Sequence, residues 1–479
     1  MADIALNGGT YSARSLAAAA QRCVNLYPEL NPTEVDPARP MTHYLTPGSV
    51  TLSSPPTAGR GRGLYRAGNG SLFGVVGSKL YKIAPNFSFT ELATLTSGSG
   101  PVSMSDNGVE MLLVDGTANG YTVTLATDAV GAPTGAGFQG GVTVDYIDTF
   151  LLVNQPNTGQ FNSSFGNTTE FDVFYGVVKS GSKENISAIK IVDREIWLFG
   201  VQKATELWFN SGAPDFPFQI INGAYIEHGC AAPHSVASYG SLVFWLIEDR
   251  AGNRFVARGR EYRMERISTH AIDKEIKGYS TVSDAVGMVY AVNGHPFYVL
   301  SFPTADKTWV FDTSTSQWHE WVWIDTNGLE HRHRAGCMES AFGKNLYLDW
   351  ENGTLRELDP SVYTDFGGPI TRRRGFPHFV NEGKLTKYKY FTLDMDCGHQ
   401  TGGSSDNPPE ISLRWSDTRG NSWGDAVKRD AGATGEYSRQ IRYNRLGAAR
   451  DRVFEIHWSN DFFTALQGAW LDGEVANTP

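Results

Sequence analysis

Glu195-Ile196-Trp197-Leu198-Phe199 and Thr205-Glu206-Leu207-Trp208-Phe209 read as the two strands of a hairpin. The first is apolar on both faces, because Ile196 and Leu198 alternate with Trp197 and Phe199. A sheet with one wet face would alternate apolar and polar residues instead. Small sheets set radially, each covered on both faces by its neighbours, satisfy the pattern. That arrangement is a β-propeller.

Working outward, residues from about 56 to about 375 form a loose repetition of units 40–50 residues long, each with three or four short strands. Gly63-Leu64-Tyr65, Leu72-Phe73-Gly74-Val75-Val76 and Lys79-Leu80-Tyr81-Lys82-Ile83 open the series. Val109 to Asp115 with Tyr121 to Leu125, and then Asp145 to Asn154, fall in the next two units. Ser241 to Ile247 with Arg254-Phe255-Val256-Ala257 follow the hairpin above. Met288 to Val292, Pro296 to Ser301, Thr308 to Asp312 and Asn345 to Trp350 complete the run. The spacing predicts six or seven blades. In Thr308-Trp309-Val310-Phe311-Asp312, Trp309 and Phe311 share one face and Val310 takes the other. Asp312 is placed to bind the amides of the turn Thr313 to Gln317, and Trp318 opens the return strand toward Trp321 and Trp323. Tryptophans at a hairpin mouth serve as a stacking platform for a ligand or fill the space between blades.

The flanks differ. Residues 1–55 read as an extended leader, with an alanine-rich helix from Ser15 to Arg22 and prolines at 28, 32, 37, 40 and 47 that hold the chain extended. Residues 376–479 read as a separate β-sandwich or barrel. Its strands run from Lys384 to Asp396, Glu410 to Trp415, Val453 to Trp458 and Leu466 to Leu471, with a loop from Gly402 to Pro409. A proline-rich leader needs a surface to lie on, so 1–55 is expected to pack with 376–479, outside the propeller at 56–375.

The 479 residues exceed one ordinary core, and 52 glycines among short apolar runs suit an all-β chain. A net charge of -10 argues against gripping nucleic acid by its phosphates, but suits a wall past which DNA slides. Cys23, Cys230, Cys337 and Cys397 lie far apart and read as free thiols of a protein made in a reducing cytoplasm. No signal peptide and no apolar run long enough to span a bilayer is visible.

Four constellations could carry chemistry. Ser416-Asp417-Thr418-Arg419-Gly420-Asn421-Ser422-Trp423 resembles the Asp-box of sialidases, with Thr418 where the aspartate belongs; such boxes are hairpin staples. His331 and His333 in His331-Arg332-His333-Arg334 stand at i, i+2, where symmetry copies could share a metal; otherwise they mark a solvated loop or edge strand. Arg372-Arg373-Arg374 could touch DNA phosphates or an acidic partner, or be a solvated charge run. Asp193, Glu195 and Asp249 stand at strand starts and turns, with no reason to converge as an acid–base pair. No nucleophile elbow, zincin, phosphate-loop or dinucleotide motif is present. The reading is a non-enzyme with no catalytic, cofactor-binding or metal-binding residues.

Gln21-Arg22-Cys23-Val24-Asn25-Leu26-Tyr27-Pro28-Glu29 followed by Leu45-Thr46-Pro47-Gly48 resembles the opening of the packaged-DNA stabilisation family, the tail hub or nozzle proteins of short-tailed bacteriophages. Gly59 to Tyr65, Leu80 to Ile83, Glu195 to Gly200, Thr205 to Trp208, Val243 to Leu246 and Arg266 to Ile272 continue the likeness. The resemblance implies a virion structural protein of the tail, assembled in the host cytoplasm. It implies a homohexamer that extends the DNA channel below portal and adaptor, retains packaged DNA and lets it pass on ejection without sequence-specific binding. The implied partners are the head-to-tail adaptor protein, a tail needle or plug, and tailspike or fibre proteins. Two other classes stay open: a glycan-binding or sialidase-like propeller, and a kelch-like protein-interaction propeller.

Overall fold

Among the described residues the repeats fold as seven four-stranded antiparallel sheets. The computed structural model describes residues 2–3, 9–10, 21–31, 40–399, 409–437 and 439–476. The expected helix from Ser15 (all but its last two residues), Pro32, Pro37 and the loop from Gly402 (all but Pro409) lie outside the described residues. Blade 1 runs from Gly61–Arg66 to Phe89–Thr94, blade 2 from Ser103–Asp106 to Ala129–Gly131, and blade 3 from Val144–Ile147 to Phe171–Val178. Blade 4 runs from Ile186–Val192 to Phe218–Ile226, blade 5 from Ala237–Tyr239 to Arg263–Arg266, and blade 6 from Val286–Val292 to Gln317–Glu320. Blade 7 has Ala335–Ala341, Lys344–Asp349 and Leu355–Asp359, and takes its fourth strand, Gly48–Ser53, from the leader. Ser49 stands opposite Leu358 in that antiparallel pair, so the ring is closed by its two ends.

The buried apolar residues form seven clusters between adjacent blades and an eighth in the C-terminal domain. This is why the strands are apolar on both faces. Ile196 and Leu198 join Leu152 and Phe161 between blades 3 and 4, while Trp197 and Phe199 join Val243 and Trp245 between blades 4 and 5. Trp309, Phe311 and Trp318 fill the space between blades 5 and 6, and Val310 and Trp321 that between 6 and 7. Asp312 accepts the Ser314 amide at 2.8 Å and the Thr315 hydroxyl at 2.9 Å, as its place in the turn requires. A helix at His270–Lys277, capped by Thr269, packs Ile272 and Ile276 against blades 5 and 6.

The C-terminal region is a sandwich of two sheets. One holds Leu26–Leu30, Met41–Leu45, Ala465–Val475, Thr386–Asp396 and Gln440–Asn444. The other holds Cys23–Val24, Arg372–Gly375, Asp451–Trp458, Glu410–Ser416 and Val427–Asp430. Two expected boundaries therefore move. Gly48–Ser53 belongs to blade 7 rather than to a leader outside the propeller, because blade 7 lacks an outer strand of its own. Arg372–Gly375 belongs to the sandwich rather than to the propeller.

The second sheet is continuous with blade 6, since Val24 pairs in parallel with Glu320 on one side while Arg373 pairs with Val24 on the other. Leader strand Leu26–Leu30 is shared: Leu26 lies in the sandwich core and Tyr27 in the cluster between blades 6 and 7.

Candidate functional site

Among the places that gather polar groups are the propeller axis and the joint between propeller and sandwich. The axial cavity, about 410 Å³, is walled by the inner strands of all seven blades. That volume is in the range of small-ligand sites. A DNA duplex, whose major groove alone is about 12 Å wide, does not fit it. Its one lining arginine, Arg62, is occupied: Nε donates to Gly100 O at 2.6 Å, Nη1 to Gly77 O and Ser97 O at 2.8 Å each, and Nη2 to Ser99 O at 2.9 Å. Lys190 pairs with Asp145 at 2.9 Å. Burial raises the Glu339 carboxyl and pushes the Cys337 thiol up to about 12, so the thiol is not activated as a nucleophile.

At the joint, Asn25 is fully buried with φ 54°. Its Nδ2 donates to Val322 O at 2.9 Å and Thr371 O at 2.8 Å, and its Oδ1 accepts Val322 N–H at 2.9 Å. Beside it runs an alternating chain of charges. Arg22 pairs with Glu320 at 2.5 Å and Glu330 at 2.9 Å; Arg373 pairs with Glu330 at 2.6 Å and Glu455 at 3.5 Å; Arg414 pairs with Glu455 at 2.5 Å. Burial opposes ionisation of Glu330, yet Arg22 and Arg373 hold its carboxyl down to about 2. The joint is a fastening, since every one of these charges has an opposite within reach.

The residues singled out in the sequence do not converge. Arg372 and Arg374 are wholly buried, which corrects both readings of that triplet. They share one face of a strand, and Arg372 donates to the carbonyls of Ile370 (3.0 Å), Asn460 (2.7 Å) and Tyr363 (3.2 Å), while Arg373 turns to the charge chain. His331 and His333 are neither a solvated pair nor a shared ligand face. The strand ends at Arg332, so alternation stops there. His331 binds Asp306 at 2.7 Å, whereas His333 is buried, stacked on Trp321 at 3.8 Å, and pushed down to about 3 by burial and by Arg334 and Arg356. Among the described residues no three His, Cys, Asp or Glu side chains are grouped to hold a metal ion.

The Asp-box-like stretch is a turn staple in the sandwich. Ser416 Oγ accepts the Gly420 amide at 2.9 Å, and Thr418 Oγ1 accepts the Ser422 amide at 2.8 Å. Asp193 and Arg194 form a hairpin turn with φ of 51° and 63°. Asp249 caps another turn through the Ala251 and Asn253 amides, each at 2.8 Å. Sequence reasoning missed Asn25 and the charge chain; Arg22 and Asn25 stand inside the stretch that carries the family resemblance. Among the described residues no helix is long and apolar enough to cross a membrane.

A family model described as Bacteriophage P22 Gp10, beta-propeller, matches residues 2–363. No curated protein sequence matches. Solved structures of similar shape include a chain of the mitotic checkpoint complex, at 11% identity and TM-score 0.44 over 66% of this chain and 93% of that one. The N-terminal domain of Nup159 matches at 10% identity and TM-score 0.41, over 71% of this chain and 99% of that one. The WD40 propeller domain of Doa1 matches at 10% identity and TM-score 0.41, over 65% and 96%.

Proposed function

Since the chain belongs to the phage stabilisation family described by the β-propeller Gp10 of bacteriophage P22, a family of phage structural proteins, we propose that it is a tail hub or nozzle subunit of a short-tailed virion. In this reading it forms a homohexameric ring below the portal and the adaptor protein, with a needle or plug beneath and tailspikes or fibres beside it. The ring extends the DNA channel, retains packaged DNA and releases it on ejection. The observation that carries the reading is the family match over residues 2–363.

The axial cavity refines it. At about 410 Å³ it has no room for a duplex, so the DNA path runs between copies, around the symmetry axis, and not through any one propeller. The lumen is then neutral or acidic, because a lysine-lined wall would hold phosphates. Mass and symmetry of tails isolated from virions test this. Six copies around an open lumen are expected, and another count refutes the ring. Incubating the purified protein with polysaccharides and sialosides tests its role as a non-enzyme, and site-dependent cleavage refutes it.

A further inference from the structure

From Ile83 to Val178 the chain runs 96 residues without a Lys, Arg or His. At the chain's overall frequency, 41 Lys and Arg in 479 residues, such a stretch would hold about eight. Carboxylates are not enriched: it has nine, where about ten are expected from 51 in the whole chain. What sets the stretch apart is the exclusion of cations.

The fold gathers it into one sector, the outer strand of blade 1 and the whole of blades 2 and 3. Blade 3 stands diametrically opposite the junction of blades 6 and 7, where the sandwich is attached. Four of the nine carboxylates neutralise cations that reach in from outside: Glu91 takes Lys79 (2.5 Å), Asp128 takes Lys82 (2.7 Å), Asp145 takes Lys190 (2.9 Å) and Asp148 takes Arg194 (2.6 Å). Others are bound locally, as Asp106 is by the Tyr65 hydroxyl at 2.7 Å and Glu110 by the Thr169 hydroxyl at 2.8 Å. The rim of blade 2 exposes small side chains, among them Ala126, Ala129, Ala132, Thr134 and Ala136. Val173 and Phe174, exposed on blade 3, add hydrocarbon, which offers phosphate no partner.

Proteins hold DNA non-specifically through Lys and Arg on phosphates, and each contact adds to the salt dependence of binding. In a sixfold ring one exposed lysine per copy makes six such contacts. At 6–10 contacts affinity changes by about 10³–10⁵ between 50 and 200 mM salt. A surface past which a duplex must slide therefore has to lack cations, and it needs no excess of carboxylates. A surface built to dock a basic protein would need that excess, and here carboxylate density is ordinary. We infer that blades 2 and 3 line the DNA path, with the sandwich turned outward. The inference rests on the ring reading above.

Cross-linking in assembled particles tests it. Ala129→Cys in the sector and Ala251→Cys on blade 5, both at exposed positions, are alkylated with azidophenacyl bromide before assembly; the unsubstituted protein is the control for native thiols. Irradiation of DNA-filled particles is expected to give at least tenfold more DNA adduct from position 129 than from 251. DNA adducts from 251 but not from 129 would overturn the inference and leave the channel standing. Adducts of position 129 to protein alone would make the sector a docking surface, which also overturns it. No DNA adduct from either position would remove the channel reading as well. Independently, Ala129→Lys is expected to slow ejection at 50 mM salt at least tenfold, with recovery at 200 mM, and Ala251→Lys to leave it unchanged. Equal rates for the two variants would contradict the assignment.

Discussion

Replacing Asn25 tests how the propeller and the sandwich are held together. The side chain is fully buried and makes three hydrogen bonds of 2.8–2.9 Å, two to Val322 of the propeller side and one to Thr371 of the sandwich side. Asn25→Ala removes all three at once. A buried group left without its partner costs about 1–3 kcal/mol. A Cβ-bearing residue other than Asn at φ 54° costs about 1–2 kcal/mol more than glycine does there. The two terms together give an expected destabilisation of about 2–5 kcal/mol for Asn25→Ala. Asn25→Gly loses the same bonds without the backbone penalty, and is expected to be about 1 kcal/mol milder. Urea unfolding gives the two values, and limited proteolysis shows where the chain opens. Cleavage of both variants is expected in 322–334 or 360–372, on either side of blade 7, before the blades themselves are cut. The reasoning fails if Asn25→Ala lies within about 1 kcal/mol of the unsubstituted protein, or if glycine proves worse than alanine.

Three further outcomes follow from the buried charges and packing. Glu330 is held down to about 2 against an ordinary 4.5, so its contribution is present above pH 4.5 and lost as pH falls toward 2. Glu330→Gln should flatten the stability profile in that window and lower stability at pH 7, and an unchanged acid limb would refute this. His319 and His333 stay neutral in the fold, pushed down by burial to about 4 and about 3, whereas unfolded imidazoles titrate near 6.5. Stability should therefore fall as pH drops from 6.5 toward 4, by about 1.4 kcal/mol per pH unit for each histidine, and His319→Leu should remove one such increment. Gly259→Ala would set a methyl 2.8 Å from the Trp197 ring and 2.9 Å from that of Trp245, so a loss of about 1–3 kcal/mol is expected in thermal unfolding. A neutral result would mean that the two rings can yield.

The propeller was legible because its cause is periodic. The second strand of each blade buries both faces, and that leaves strings such as Ile196 to Phe199 with no polar alternation. The blade count was not, since the seventh blade is assembled from 335–359 and 48–53, and no local pattern announces a partner some 300 residues away. The Arg372 triplet was read by its charge, while its burial depends on carbonyls of Ile370, Asn460 and Tyr363 that only the sandwich brings near. His333 was read by strand alternation, and the strand stops one residue before it. The short helix at His270–Lys277 did leave a signal: Thr269 before it, Gly278 after it, and Ile272 and Ile276 one turn apart.

Closure of the ring by its two ends sets a timetable for synthesis. Gly48–Ser53 leaves the ribosome long before its partner Leu355–Asp359 exists. At about 5–20 residues per second the interval is roughly 15–60 s. Throughout it the last blade is unfinished, and the first strand presents unpaired amides and carbonyls to whatever strand comes by. The sandwich waits longer still, since Leu26–Leu30 and Met41–Leu45 share a sheet with Ala465–Val475. The propeller can thus close once Leu355–Asp359 has emerged, whereas the sandwich must wait for Ala465–Val475. An oligomer that needs the sandwich must draw on chains that already carry Ala465–Val475, and a chain truncated before residue 355 leaves the propeller an open arc that cannot shut.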